Sequence, residues 1–213
     1  MAASPSPRVP RGRHAPPLEI RLSRQRRRLF AAAAAVFSRA GYADATAEAI
    51  AREAGMSKAT FYEHFANKEE CVVALCDTAT DVVLDAMRAA AETSVDEPPQ
   101  PRIRALVEAF LQALADFPDE AQTLIVEIVG AGPRAMERRD RALDAVAQYI
   151  DDFNRGDAER GAAPRLGSPH DAFAIVGAVV ELASRQIRTG RPSDIRELEP
   201  VVERLALGLL RAG

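Results

Sequence analysis

Apolar residues recur every three or four positions along most of the chain, the spacing that lines one face of an α-helix. From about Glu19 to Ala40, Leu22, Leu29, Ala33, Val36 and Phe37 fall on such a face, and Gly41 ends the helix as a C-cap would. Next, Ala47, Ile50, Ala51 and Ala54 share a face behind Thr46, whose hydroxyl suits an N-cap, and Gly55 stops that helix. Ser57 heads a third helix reaching Phe65. Asn67 heads a fourth, with Glu70 three residues on to complete a capping box, and its apolar face runs through Leu75, Ala79, Val82, Val83 and Met87. Beyond the break SVDEPPQP at 94–101, the periodicity predicts helices near 102–116, 119–130, 134–155, 169–189 and 194–211. Pro118, Gly132-Pro133, the stretch 156–169 and Gly190-Arg191-Pro192 separate them. No segment alternates apolar and polar residues as a strand would, so the expected fold class is all-α, with about nine helices.

The same pattern divides the chain. Residues 1–18, rich in proline and without periodicity, are expected to form a flexible basic arm. Residues 19–67 hold three short helices, and 68–213 a larger helical bundle. Composition agrees with helices: apolar residues make up 47%, aromatics only 5%, and tryptophan is absent. The net charge of −3 hides an asymmetry, because residues 1–70 carry +5 and residues 71–213 carry −8. A basic first third on an acidic body fits a surface that meets a polyanion, or simply a basic tail.

Several classes are disfavoured. No run of about 18 apolar residues exists, and AAAAAVF (31–37) is too short to span a membrane. The arginines at the start (Arg8, Arg11, Arg13) are not followed by a signal-peptide apolar stretch, so a cytoplasmic protein is expected. Cys71 and Cys76, five apart on one helix, point to different faces and read as small buried side chains. His14, His64 and His170 are scattered, and the chain lacks G-x-S-x-G, H-E-x-x-H and a phosphate loop. The G-x-G of VGAGPRAM (129–136) joins two helices and reads as a turn with Pro133 at the first helical position. No catalytic set, metal site or cofactor is expected.

Gly55-Met56-Ser57 joins two short helices in the manner of a helix-turn-helix, with Ile50, Phe61 and Phe65 to fill the core between them. In that motif the second helix enters the major groove of DNA. At about 100° per residue, Phe61 and Phe65 mark the buried side of helix 57–65. Ala59 and Glu63 lie opposite, flanked by Thr60 and Tyr62, with Ser57 and Lys58 at the N-terminal end. Ala59 suits a thymine methyl, Thr60 or Lys58 a hydrogen bond to a base edge, and the Tyr62 and Thr46 hydroxyls neighbouring phosphates. Glu63 either accepts from a cytosine amino group or turns to solvent. Lys68 sits at the start of the fourth helix, where the macrodipole disfavours a cation. A phosphate held by Lys68 and the free amides resolves that conflict; an exposed lysine that tolerates the dipole is the alternative.

Residues 24–76 resemble the DNA-binding domain of the TetR family of bacterial transcriptional regulators. The family pattern is met at Phe37, Gly41, Tyr42, Thr46, Ile50, Ala51, Ala54, Gly55, Ser57, Tyr62, His64, Phe65, Lys68 and Glu69, over about a quarter of the chain. The resemblance implies that Thr46, Ser57, Lys58, Ala59, Thr60, Tyr62, His64 and Lys68 line a DNA surface. The sequence departs from the pattern at Glu63, where many members carry an uncharged residue. Arg11 and Arg13 of the arm would add phosphate or minor-groove contacts. The resemblance also implies a double-stranded DNA operator, a homodimer and a small-molecule effector as partners.

For the second part the resemblance is architectural, implying an effector-binding and dimerisation domain. The segments 171–187 and 198–210 are apolar over much of their surface and suit a four-helix dimer interface, with Val179, Gln186, Leu205 and Leu209 as candidates. Phe110, Leu114, Leu124, Ile128, Tyr149, Phe153 and Phe173 are candidates to line an effector pocket, although for each taken singly plain core is the favoured reading. Glu127 and Glu181 interrupt apolar runs, so each carboxylate must be hydrogen-bonded, paired with an arginine such as Arg185, or exposed to a cavity. The expected function is a repressor released from a palindromic operator by a hydrophobic or amphipathic effector. The alternative is an effector-independent DNA-binding or architectural protein.

Overall fold

The computed structural model describes residues 18–212, in which every regular element is a helix and no strand occurs. The helices are α1 (Leu18–Asp44), α2 (Ala47–Glu53), α3 (Lys58–His64), α4 (Lys68–Thr93), α5 (Pro99–Asp116), α6 (Pro118–Ala121), α7 (Pro133–Glu159), α8 (Pro169–Thr189) and α9 (Glu199–Ala212). The short elements start where their side chains cap them. Thr46 Oγ1 accepts from the Ala49 amide at 3.1 Å, Ser57 Oγ from Thr60 at 3.0 Å, and Asn67 Oδ1 from Glu70 at 2.8 Å. The Glu70 carboxylate returns to the Ala66 amide at 2.7 Å, one residue earlier than a simple capping box has it.

Two glycines shape the head. Gly55 has φ 64°, and a Cβ there would lie 3.2 Å from the Arg28 guanidinium, which donates to the Ala54 carbonyl at 2.6 Å. Gly41 has φ 77° and ψ 156°, which are not helical, so the regular winding of α1 breaks there as the sequence predicts and the chain turns before Tyr42–Asp44.

The core of the head does not stop at its third helix. Leu29, Phe37, Ile50, Phe61 and Phe65 form one buried cluster with Cys71, Val72 and Leu75 of α4, and with Ile128, Ala131 and Ala135. The boundary drawn at 67/68 therefore falls inside a single packing unit that ties the head to the body. Both cysteines are buried and unbridged, and burial pushes the Cys71 thiol up to about 12 and the Cys76 thiol up to about 11, so both stay protonated.

In the body, α4 packs on α5 and α7, α7 on α8, and α5 and α8 on α9. The segment predicted as one helix over 119–130 is instead α6, a wide π turn at Gln122–Val126 and a tight 3-10 turn at Glu127–Gly130. In this winding the buried Thr123 hydroxyl donates to the Ala34 carbonyl of α1 at 3.2 Å, and Ile125 packs into the body. An unbroken apolar run such as TLIV reads the same in either winding. The far end of the bundle is closed by a buried ion pair, Arg102 to Asp157 at 3.0 Å, under the α4–α5 connection. Among the described residues no helix is long and apolar enough to cross a membrane.

Candidate functional site

The presented face of α3 consists of Lys58, Ala59, Tyr62 and Glu63, all exposed, with Phe61 fully buried behind them. Tyr62 is 49% exposed, a large aromatic with its hydroxyl free on the surface. Its ring meets Phe61 edge-on at 5.5 Å, which fixes its direction. Lys58 Nζ lies 3.8 Å from Glu48 of α2, an exposed pair that gives way readily to another anion. Glu63 pairs with no cation among the described residues and faces solvent. Thr46 and Ser57 are exposed at the helix starts, their oxygens engaged as caps, and the Ser57 and Thr60 hydroxyls meet at 2.9 Å.

Two residues expected on this surface are placed differently. Lys68 does not sit free at the start of α4. Its ammonium donates to the carbonyls of Tyr42 at 2.7 Å, Ala43 at 2.9 Å and Ala45 at 2.9 Å, and lies 4.6 Å from the centre of the Tyr42 ring. All three protons are used, so Lys68 locks the end of α1 to α4 and holds none for a phosphate. A cation at a helix start favours a negative partner, and here the carbonyl end of kinked α1 supplies it in place of the expected phosphate. His64 is half-buried, with Nε2 3.3 Å from Gln25 Oε1 of α1, so it braces the head rather than facing outward. Arg11 and Arg13 lie outside the described residues.

Beneath the head lies an apolar cleft of about 360 Å³ between α1, α4, α5, α6 and α7. Phe30, Leu75, Val83, Phe110, Leu114 and Leu124 line it, with exposed Arg27 and half-buried Glu120 as its charged members. Burial raises the Glu120 carboxyl above its usual range. A smaller cavity of about 80 Å³ lies deeper in the bundle, lined by Leu106, Phe110, Phe153, Val176, Val179 and Val202 among others. Of the expected pocket residues, Phe110, Leu114, Leu124 and Phe153 border these voids.

The remaining pocket candidates do not. Ile128 is fully buried in the core of the head. The Tyr149 ring packs on the body core beneath Arg88, at 5.9 Å, away from both voids. Phe173 is 44% exposed on the outer face of α8. Glu181 is also on that outer face, 3.5 Å from Arg188 rather than beside Arg185. Glu127 is hydrogen-bonded instead of lining a void: it accepts from the Tyr42 amide at 3.3 Å and from Gln122 at 3.0 Å. With the Thr123 bond to Ala34, it stitches the segment that carries Leu124 and Ile125 to α1.

Of the expected dimer residues, three are engaged within the chain. Val179 points inward and lines the inner cavity, Gln186 donates to the Pro192 carbonyl at 3.1 Å, and Leu209 packs on the core. Leu205 is half-exposed. The outward face is formed by Phe173, Ala174, Gly177, Ala178, Val201 and Leu205. Sequence reasoning missed Arg27, Phe30 and Leu75 of the cleft, because nothing in their spacing separates a cleft wall from a core face or, for Arg27, from a solvated arginine run.

These features define a class: an all-helical protein with a helix-turn-helix head on a helical body that encloses apolar space. Residues 29–75 match the model of bacterial regulatory proteins, tetR family. The chain is similar to the HTH-type transcriptional activator FasR of Mycolicibacterium smegmatis, 40% identical over 92 residues. That match covers 42% of this chain and 41% of FasR, so the chain spans about two fifths of that relative's length. FadR from Bacillus subtilis in complex with stearoyl-CoA superposes with a TM-score of 0.73 at 18% identity, covering 85% of this chain and 98% of that one. The fatty acid degradation regulator FadR from Bacillus halodurans gives 0.72 at 22% identity, covering 88% and 96%. At these identities the structural likeness is one of fold.

Proposed function

We propose that this protein is a cytoplasmic homodimeric transcriptional repressor that reads a two-fold symmetric operator with α3 and is released by an amphipathic effector with an acyl-type tail. It works by binding alone, with no catalytic step. The observation that carries this is the direct linkage of reading head to cleft. The head presents Lys58, Ala59 and Tyr62, and α1, which supports α3, also forms a wall of the cleft through Arg27, Phe30 and Ala31. Thr123 and Glu127 bond the opposite wall to α1. A ligand that spreads the cleft must therefore tilt the head, and two tilted heads no longer match successive major grooves.

The outer face of α8 and α9, with Phe173, Val201 and Leu205, supplies the partner surface, and its small residues Ala174, Gly177 and Ala178 permit close helix approach. The B. subtilis neighbour holds stearoyl-CoA. An apolar cleft bordered by a single arginine suits the same kind of molecule, an apolar tail with an anionic head.

Operator sequences can be recovered by selection from random duplexes and the affinities measured by fluorescence anisotropy. Ala59→Glu, which places a carboxylate against the base edges, is expected to weaken binding more than about a hundredfold, as opposed like charges cost several kcal/mol at an interface. Lys58→Ala is expected to weaken it about tenfold and to lower the salt slope by about one. Undiminished binding by folded Ala59→Glu would show that α3 does not enter the groove.

A further inference from the structure

The cleft and the inner cavity are not independent. Along α5 the inner cavity is bordered from Pro99 to Phe110 and the cleft from Phe110 to Phe117. Along antiparallel α7 the order reverses, with the cleft at Ala142 to Val146 and the cavity at Val146 to Asp157. The two voids therefore lie end to end, and of all their lining residues only Phe110 and Val146 border both. Phe110, packed against both core clusters of the body, therefore stands with Val146 at the junction.

The chemistry of the two ends differs. Arg27, exposed, borders the cleft. At the opposite end, the polar groups that border the inner cavity are already engaged. Asp157 is paired with buried Arg102 at 3.0 Å and with Arg160. The Asn154 amide donates to the Pro164 carbonyl at 2.9 Å, and its oxygen accepts from Arg165 at 2.9 Å and from the Leu166 amide at 2.8 Å. The inner end has no free partner for a polar head, and burying one there unpaired is costly. It suits the methyl end of a chain.

We infer that the cleft and inner cavity are two compartments of one tail-binding site, and that Phe110 with Val146 is the partition that sets how long a saturated tail the effector carries. This rests on the reading of the cleft as the effector site. Tails that end before the partition occupy the cleft alone. Longer ones must displace Phe110 to reach the inner cavity, and 80 Å³ leaves little room there without rearrangement.

The test is isothermal titration of the full chain with two saturated series in parallel, acyl-CoA thioesters from octanoyl to stearoyl and the corresponding free fatty acids. The two series show whether the anionic head is the thioester's phosphates or a carboxylate. In the wild type, affinity rises about fourfold for each added methylene until the tail meets the partition, then levels off. In Phe110→Ala the rise continues to longer tails, and in Val146→Phe the plateau moves to shorter ones. If the plateau stays at the same tail length in all three proteins, or the wild type shows none, the partition is wrong while the effector site stands. If the wild type binds neither series, the effector reading falls and the partition with it. Thermal melting checks folding, and Phe110→Leu replaces Phe110→Ala if the smaller side chain collapses the core.

Discussion

Lys68→Met is expected to lower the unfolding free energy by about 2–4 kcal/mol, read from urea denaturation followed by circular dichroism. The lysine ammonium donates to the three carbonyls of Tyr42, Ala43 and Ala45 together, and methionine keeps the stem but none of the donors. A hydrogen bond from a charged donor contributes about 1.5–3 kcal/mol, and three that share one half-exposed donor sum to less than three times that. Methionine also loses the charge over the Tyr42 ring, a further fraction of a kcal/mol at such a site. Because the lysine binds protein and not phosphate, operator affinity per folded molecule should change less than about threefold, with the salt slope unaltered. Unchanged stability together with a slope lowered by about one would restore the phosphate role and remove the structural one.

Arg102→Leu should cost about 3–5 kcal/mol, because it strands Asp157 in the interior with only the short contact to exposed Arg160. Both partners of the buried pair are 3% exposed. Arg102 also donates to the Val95 carbonyl at 2.6 Å and lies 4.8 Å from the centre of the Phe153 ring, so one side chain fastens the α4–α5 connection to α7. Its Nε finds no partner, which marks the site as a compromise between charge pairing and full satisfaction. The double variant Arg102→Leu, Asp157→Leu should recover most of the loss, since removing both charges avoids the stranded one. A double-mutant cycle in urea checks this, and strictly additive losses would show that the pair is not coupled.

What the sequence revealed was local. Thr46, Ser57 and Asn67 act within three residues of themselves, so capping could be read from spacing and the helix starts followed. The helix-turn-helix was legible for the same reason: Gly55 and the Ile50, Phe61 and Phe65 core lie within one short stretch. What it hid depends on residues far along the chain. Glu127 and Glu181 sit in similar apolar runs, yet Glu127 meets the backbone of Tyr42, 85 residues away, while Glu181 faces solvent. Lys68 reaches carbonyls that only the Gly41 kink brings near.

The phase of α8 was lost for a different reason. Its outward residues Ala174, Gly177 and Ala178 are as apolar by letter as the inward Val176 and Val179, so periodicity alone could not orient the helix. As a result Val179, expected on an outward face, lines the inner cavity, and Phe173, expected in the pocket, is exposed on the outer face of α8. The cleft stayed invisible because a helix face lining empty space and one packed against another helix have the same composition.

The central claim is that filling the cleft changes how the head holds DNA. The most direct measurement is the affinity of the wild-type protein for a selected operator duplex, by anisotropy at fixed salt, with and without saturating stearoyl-CoA. A ligand acts only through its differential affinity for the two conformations, so the account predicts weakening by about tenfold or more, a coupling of at least about 1.4 kcal/mol. Calorimetric binding of stearoyl-CoA with an unchanged operator affinity would contradict it.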